Sequence, residues 1–365
     1  MKACILSIIY YHSNTVKTNE AMLSVDYIPM QYYDAIFIHF ADDDGRVHHI
    51  ILDGGEIKSP KYCYYNRLKE RLEEIFNRGE SIDLWVITHI DDDHIGGLYS
   101  FLNDIGFFED HQHQLNEVWM NYGGVGDYDV QRGGTIGYSG GKKLRDVLHE
   151  KGICVKDEIR AGFITSIATA EIVVIAPDSD SYNRYVAWWD KKEFGNNVIT
   201  SDGLISGGDW DYEIQFKDFD LNHYEEDKDV KNNSSIAFVL TYHNYCLLFS
   251  ADSCSSELMT GLENVGIVKA GKIKLDLVHI PHHGSSHNSS FEFLKSIDCP
   301  RYTITGNGEN RFRLPDKETI ARLIAANPNG CELHFTERNS KLEEIFVGED
   351  DYNISICFNA SYVFE

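Results

Sequence analysis

The chain contains 365 residues, 42% of them hydrophobic, and its 58 acidic residues outnumber 33 basic residues to give a formal net charge of −25. The apolar content is enough for a substantial core, and although the length exceeds that of one average domain, a single large α/β domain over residues 1–365 with an insertion is compatible with it. The acidic balance argues against tight nonspecific binding to long nucleic acid, because such binding depends on Lys and Arg neutralising phosphates.

The sequence also bears on the cellular compartment. No run of residues approaches the roughly 18 apolar residues of a membrane span, so we expect no membrane association. Residues 1–11 lack the basic start and the long apolar run of a secretory signal, which predicts a cytoplasmic protein. Cysteines stand at positions 3, 63, 154, 246, 254, 299, 331 and 357, without a Cys-x-x-Cys pair. This spacing favours reduced, buried thiols over a disulfide framework or a cysteine zinc site.

The first elements predicted along the chain are a β-hairpin, a helix and a strand. Ala35–Phe40 and His48–Leu52 have the apolar content of strands, and the run ADDDG at 41–45 suits a hairpin turn. Apolar residues then recur at helical spacing from Tyr64 to Phe76, which predicts a helix packed on the sheet. The apolar run Leu84–Ile87 predicts a buried strand.

Residues 88–97, with the sequence THIDDDHIGG, follow that strand directly. Two histidines and three carboxylates crowd the point where the strand should leave the sheet. Neighbouring carboxylates repel one another and resist desolvation, so a buried cluster of them needs cations. Imidazole and carboxylate are usual ligands of Zn²⁺ and Mn²⁺. The segment therefore predicts a metal site rather than an acidic, solvated loop, and residues 98–102 predict a helix after it.

The middle of the chain is predicted to continue with strands and a helix. Strands are expected at Glu117–Asn121, Phe163–Ala168 and Glu171–Ile175. The run GKKLR at 141–145 is either a basic patch or the start of an amphipathic helix reaching about Lys151. We favour the helix, because Leu144 and Leu148 recur at helical spacing.

Residues 178–231 differ from their surroundings and are interpreted as a variable insertion. They contain several glycines, the charged run YEEDKD at 224–229 and a group of large aromatic residues, namely Tyr182, Tyr185, Trp188 and Trp189. Long segments of this kind are either functional lids or solvated excursions. The aromatic side chains either cover the active site and stack on a base, or pack as one face of a helix.

The C-terminal part is predicted to begin with a second hairpin, Ile236–Tyr242 and Tyr245–Phe249, turning at residues 243–244. Helices are expected at Ser290–Ile297 and Lys317–Ala326, and strands at Glu332–Thr336 and Asn353–Phe358. Polar blocks adjoin the hairpin on both sides. NNSS at 232–235 precedes it, SAD at 250–252 follows it, and PHHGSS occupies 281–286.

Six blocks in chain order resemble the metallo-β-lactamase superfamily. His89, Asp91, Asp93 and His94 match the signature His-x-His-x-Asp-His with aspartate at its second position, a form that resembles the hydrolase domain of the competence protein ComEC and its soluble relatives. The other blocks are QYYDAI at 31–36, ILDGG at 51–55, NNSS at 232–235, LLFSAD at 247–252 and PHHGSS at 281–286. The resemblance implies an α/β fold, the metallo-β-lactamase αβ/βα four-layer sandwich. It covers only the soluble hydrolase part of ComEC and does not imply DNA uptake.

The resemblance further implies a site for two divalent metal ions, Zn²⁺ or Mn²⁺. His89 and Asp91 would hold one ion, Asp93 and His94 the other, and Asp252 would bridge both. His283 is favoured over His282 as the remaining ligand. His282 would then carry protons, so Asp93 and His282 are the residues on which catalysis is expected to depend. Aspartate at position 91 makes the ligand set richer in oxygen, which brings Mn²⁺ into consideration beside Zn²⁺.

The chain departs from the family pattern at three places. Ala251 replaces the usual glycine before the bridging aspartate, and Leu314 stands where relatives often have histidine before proline. A proton donor would then have to be another residue, such as His282 or His287. The histidine that commonly precedes the bridging aspartate has no match, so Asn233 or a water is expected at that coordination position.

Three functions are compatible with the sequence. The first is a metal-dependent phosphodiesterase or nuclease that acts on nucleic acid or a nucleotide. The second is a hydrolase of another ester, a lactone or a phosphocholine substrate, because this fold hosts many reactions. The third is a metal-stabilised interaction module without turnover. The paired, repelling carboxylates count against it, because such a module has no need for them. The sequence does not indicate protein partners.

Overall fold

The computed structural model describes residues 22–30, 33–56, 64–123, 138–194, 210–266, 268–269, 271–310, 312–350 and 352–365. In chain order, the strands are β1 Leu23–Tyr27, β2 Ala35–Ala41, β3 Val47–Asp53, β4 Leu84–Ile87, β5 Val118–Met120, β6 Val155–Lys156, β7 Ile164–Ile167, β8 Ala170–Ala176, β9 Ala237–Tyr242, β10 Tyr245–Phe249, β11 Val268–Lys269, β12 Lys272–Lys274, β13 Leu277–His279, β14 Ile297–Asp298, β15 Arg301–Ile304, β16 Cys331–Phe335, β17 Ile354–Cys357 and β18 Ser361–Phe364. The helices are α1 Tyr64–Asn77, α2 Asp92–Asn103, α3 Ile105–His111, α4 Tyr138–Glu150, α5 Ser179–Phe194, α6 Ser255–Val265, α7 Phe291–Ser296, α8 Lys317–Ala326 and α9 Ser340–Glu344.

Two large mixed sheets organise these elements. The first has the strand order β18-β1-β2-β3-β4-β5-β6, and the second has the order β17-β16-β15-β13-β10-β9-β8-β7. In each sheet an antiparallel half is joined to a parallel half, at β3–β4 in the first and at β10–β13 in the second. Strands β11, β12 and β14 form a small third sheet.

Alternating side chains on the strands make separate cores on the two faces of each sheet. In β3, Ile50 points into a core shared with Phe238 of the second sheet, while the next residue, Ile51, points into a different core with α1 and α2. Residues of β9 and β15 face α6, α7 and α8 in a third core. The layers are therefore helices, sheet, sheet and helices, and the predicted αβ/βα four-layer sandwich is confirmed.

The predicted hairpins and most predicted helices are present within one or two residues of the expected bounds. Several described elements were not predicted, namely β1, β6, β11, β12, β13, β14, β15, β18, α3, α6 and α9. None of the described helices combines the length and the apolar content needed to cross a membrane.

The predicted insertion at 178–231 begins with α5, which packs on the domain. Tyr185 and Trp189 are 1% and 0% exposed and belong to the core between the first sheet and its helices. Helix-face packing, not a base-stacking lid, therefore accounts for these rings. Residues 195–209 of the insertion lie outside the described residues.

The run GKKLR forms part of the amphipathic helix α4, as favoured above. Leu144 is buried, and Lys142 pairs with Asp146 one turn later at 2.5 Å. Arg145 is also buried and pairs with Glu193 of α5 at 2.8 Å. These cations are neutralised within the protein, so they do not form a free basic patch for nucleic acid.

Candidate metal centre

The polar blocks of the sequence lie together at one edge of the two stacked sheets. Chain segments leave β3, β4, β10, β13 and β15 at this edge, because the carboxyl ends of parallel strands lie together. A hydrogen bond from Ile236 N to Thr88 O (2.9 Å) joins the segment after β4 to the segment before β9. Blocks that are distant in sequence thereby become neighbours in space.

Helix α2 begins inside the THIDDDHIGG segment and fixes its side chains. Asp91 is the N-cap residue, and His94 N donates to Asp91 O at 3.0 Å. Gly97 allows α2 to approach the end of β3, since a Cβ at this position would lie 2.6 Å from Gly54 O. Gly96 N also donates to Gly55 O at 2.7 Å. The Asp-Gly-Gly and His-Ile-Gly-Gly blocks thus form one packed corner.

Asp252, after β10, is the centre towards which four imidazoles point. Its side chain is 3% exposed. The Nε2 atoms of the four rings lie 3.6–3.9 Å from Asp252 Oδ2; the rings belong to His89, His94, His282 and His283. These distances are too long for hydrogen bonds. They resemble the separation of roughly 3.4 Å between two donor atoms that bind one ion at about 2.1 Å each.

Each of these rings is oriented through its other nitrogen. His94 Nδ1 lies 2.8 Å from Asp53 Oδ2, and His282 Nδ1 lies 2.8 Å from Asn288 Oδ1. His283 Nδ1 lies 3.0 Å from Thr305 Oγ1, and His89 Nδ1 lies 3.3 Å from Thr88 Oγ1. Outer groups that hold one ring nitrogen and leave the other free are the usual support of metal-binding histidines.

The donor atoms facing the centre fit a metal ion. The Nε2 atoms of His89 and His94 are buried without a hydrogen-bond partner, as is Asp252 Oδ1. Buried polar atoms without partners are costly, and a cation would satisfy all of them. Ligand atoms of His89, His94 and Asp252 lie within 4.8 Å of one another, and so do those of Asp93, His94 and His283.

Asp93 approaches two of the imidazoles that also face Asp252. Its Oδ2 lies 3.6 Å from His283 Nε2 and 3.9 Å from His94 Nε2. Together with Asp252, these residues make a set of two imidazoles and two carboxylates. We refer to Asp93, His94, Asp252 and His283 as the four-donor set.

The electrostatics of the centre favour positive charge. Burial opposes the ionisation of Asp252, but the surrounding imidazoles hold its pKa well below its usual range. Burial likewise lowers the pKa of His283, but Asp252 and Asp34 outweigh this effect and raise it to about 10. Burial and the neighbouring His94 lower the pKa of His89 to about 4.

Asp91 occupies a different environment from the other residues of its motif. Its Oδ1 lies 2.6 Å from Lys231 Nζ, and among the described residues it is not part of the groups of converging donors. Asp92, in the first turn of α2, faces Gly140 of α4. The predicted ligand role of Asp91 stays a prediction.

Several residues support the centre without having been assigned a role from the sequence. Asp34 Oδ1 lies 3.4 Å from His283 Nδ1, and Asp227 Oδ2 lies 3.6 Å from His282 Nδ1. Asp34 and Asp53 belong to two of the blocks that resemble the superfamily, so the sequence could have indicated a role for them at the centre. Asp227, Asn288 and Lys231 carried no local signal, because only the folded chain brings them to the motif.

Three residues were named where the chain departs from the family pattern, and the structure gives their surroundings. Asn233 Nδ2 donates to Asp227 O, while its Oδ1 is buried without a partner. Leu314 is buried. His287 Nδ1 lies 2.7 Å from Glu225 O, so its ring is held by the segment before Asp227. His282 is therefore the better placed of the two proposed proton carriers.

No protein-family model matches the chain, and no curated protein matches it. Among solved structures, a mutant of the β-hydroxylase CmlA is 12% identical with a TM-score of 0.42, covering 96% of this chain and 54% of that one. This chain thus spans about half the length of CmlA. The metallo-β-lactamase fold protein YhfI from Bacillus subtilis is 9% identical with a TM-score of 0.42, covering 94% and 99%. A diphosphatase from the PhnP family is 13% identical with a TM-score of 0.39, covering 95% and 98%. Likenesses at this level do not assign a family or an activity.

Proposed function

We propose that the protein is a metal-dependent hydrolase of phosphodiesters, acting on nucleic acid or a nucleotide. The observation that carries the proposal is the convergence of four imidazole Nε2 atoms on Asp252 Oδ2, with Asp93 facing them. A purely structural site has no need for a buried carboxylate, Asp252, and a partly buried one, Asp93, around the same imidazoles. Such a site is suited to binding a cation and, through it, an anionic substrate.

The four-donor set would hold one divalent ion, and His89 with Asp252 would face a second, to which the resemblance assigns Asp91. A bound ion would polarise a phosphate group and lower the pKa of an attacking water. Two carboxylates beside imidazoles suit Mn²⁺ as well as Zn²⁺. The identity of the metal is therefore part of the proposal to be tested.

His282 is proposed to carry protons at this centre. Asn288 Nδ2 donates to Asp252 O (3.0 Å), which leaves Asn288 Oδ1 to accept from His282 Nδ1. The proton of the neutral ring is thus fixed on Nδ1, and Nε2 can take a proton on the side of Asp252. A positioned base of this kind contributes about 10²–10⁴-fold to a rate.

The test is hydrolysis of bis(4-nitrophenyl) phosphate by protein reconstituted with Mn²⁺ or Zn²⁺. We expect Asp93→Ala and Asp252→Ala to abolish turnover, since each removes a charged donor from the centre. Asp92→Ala is the matched control, because it removes the neighbouring carboxylate and should keep activity. Turnover of a lactone or a phosphocholine ester with none of phosphodiesters would replace the proposed substrate class. Full activity of Asp252→Ala would refute the proposed centre.

A further inference from the structure

Asp91 differs from the other expected metal ligands of its motif because it forms an ion pair with Lys231. Lys231 Nζ lies 2.6 Å from Asp91 Oδ1, with the two side chains 13% and 24% exposed. An ammonium this close to a carboxylate forms an ion pair, and its charge neutralises that of Asp91.

The segment that carries Lys231 is held in place by its own side chains. Asp227 Oδ1 accepts from Asp229 N at 2.8 Å, and Asp229 Oδ1 accepts from Lys231 N at 2.7 Å. Asp227 Oδ2 also accepts from Asn232 Nδ2 at 2.8 Å. Lys231 is thus held at its backbone N–H as well as at its amine, which places its side chain beside Asp91.

The two sides of the centre consequently differ in charge. The four-donor set offers the charges of Asp93 and Asp252, which together balance one dication. On the side of His89, Asp252 is shared and Asp91 is already neutralised. Recruiting Asp91 to an ion there would break its ion pair and leave an ammonium beside a dication, which is electrostatically unfavourable.

We infer that Lys231 makes the centre asymmetric: it binds one divalent ion tightly in the four-donor set and a second ion weakly on the side of His89. This inference rests on the proposed metal-dependent function. Lys231 acts here as a positioning residue, because it controls the availability of Asp91. Changes in groups that hold a ligand alter metal affinity by about 10–100-fold.

Calorimetric titration of the metal-free protein with Mn²⁺ tests the inference without relying on activity. We expect the wild type to show one tight site and a second at least about tenfold weaker. Lys231→Gln should tighten the second site by at least about tenfold and leave the first unchanged. Lys231→Arg, which keeps the cation, should resemble the wild type, and Lys228→Gln removes a charge three residues earlier as a control.

The outcomes separate this inference from the proposed function. Two equal sites in the wild type, or an unchanged second site in Lys231→Gln, would overturn the asymmetry alone. Binding of no ion at all would overturn the metal-dependent function as well. If Lys231→Gln fails to fold, Asp91→Asn tests the inference instead. The tight site of this variant should keep the wild-type affinity. Loss of the tight site would place Asp91 among its ligands and refute the inference.

Discussion

At the scale of residues, the centre depends on histidines whose two ring nitrogens have separate tasks. In each of the four rings Nδ1 is held by a protein group and Nε2 faces Asp252. The sequence predicted His89, His94 and Asp93 because they lie in one short motif at a strand end. It did not predict the partnership of Asp91 with Lys231, which are 140 residues apart in sequence.

His282 and His283 are adjacent in sequence and have different expected roles. His283→Ala should lower metal occupancy, because it deletes a member of the four-donor set. His282→Ala should keep that ion and lower turnover by about 10²–10⁴-fold, because it deletes the proposed proton carrier. Elemental analysis combined with rate measurement on both variants tests this prediction. Loss of metal in His282→Ala but not in His283→Ala would reverse the two assignments.

Ala251 carries backbone strain next to Asp252. Its φ is +46°, in the left-handed region that favours glycine. Ala251→Gly should therefore raise the free energy of unfolding by about 0.5–1 kcal/mol. Glycine removes the strain of the left-handed backbone, but part of this gain is offset because glycine loses more conformational entropy on folding. Urea denaturation measures the change. Ala321→Gly in α8 is the control and should cost about 1 kcal/mol. Equal destabilisation of both variants would contradict the account of Ala251.

At the scale of elements, the contact of β3 with α2 positions the motif. The sequence marked both glycine-containing blocks, but the reason for the glycines is a backbone contact that appears only when the strand and the helix meet. The helix α5 was predicted only as one of two alternatives, for a related reason. Its buried face combines Tyr185 and Trp189 with a buried ion pair from Glu193 to Arg145, and this pair becomes visible only in the folded protein.

Gly97→Ala tests the importance of that contact. A Cβ at this position would lie 2.6 Å from Gly54 O and 2.5 Å from a methyl group of Leu68, so the helix would have to shift. We expect a loss of about 1–3 kcal/mol in the free energy of unfolding, the usual cost of overpacking. Gly106→Ala in α3 is the matched control, because nothing lies within 4 Å of the added Cβ. A Gly97→Ala protein as stable as the Gly106→Ala protein would contradict the proposed packing.

At the scale of the whole molecule, charge constrains the substrate. The net charge is −25, and basic residues such as Lys142, Arg145 and Lys231 are paired with carboxylates. A long duplex would bring many phosphates against this acidic protein. The resemblance to the metallo-β-lactamase superfamily predicted the layers, and the predicted order of strands and helices fitted it. The pairing of surface charges was not predictable, because it depends on how the layers pack.

We therefore expect faster cleavage of a short single strand than of a long duplex. A short strand or an exposed end can reach the centre while few of its phosphates meet the acidic surface. Competition between an oligonucleotide and linear duplex DNA at physiological salt measures the preference. Faster cleavage of the duplex would refute the electrostatic argument and indicate a basic channel.

The central claim is that Asp252 and the residues around it bind a transition metal. Elemental analysis tests it most directly, on protein reconstituted with Mn²⁺ or Zn²⁺ and then dialysed. The account predicts at least one ion per chain in the wild type and loss of that ion in Asp252→Ala. A wild-type protein without metal after reconstitution, or an Asp252→Ala protein with undiminished metal, would contradict it.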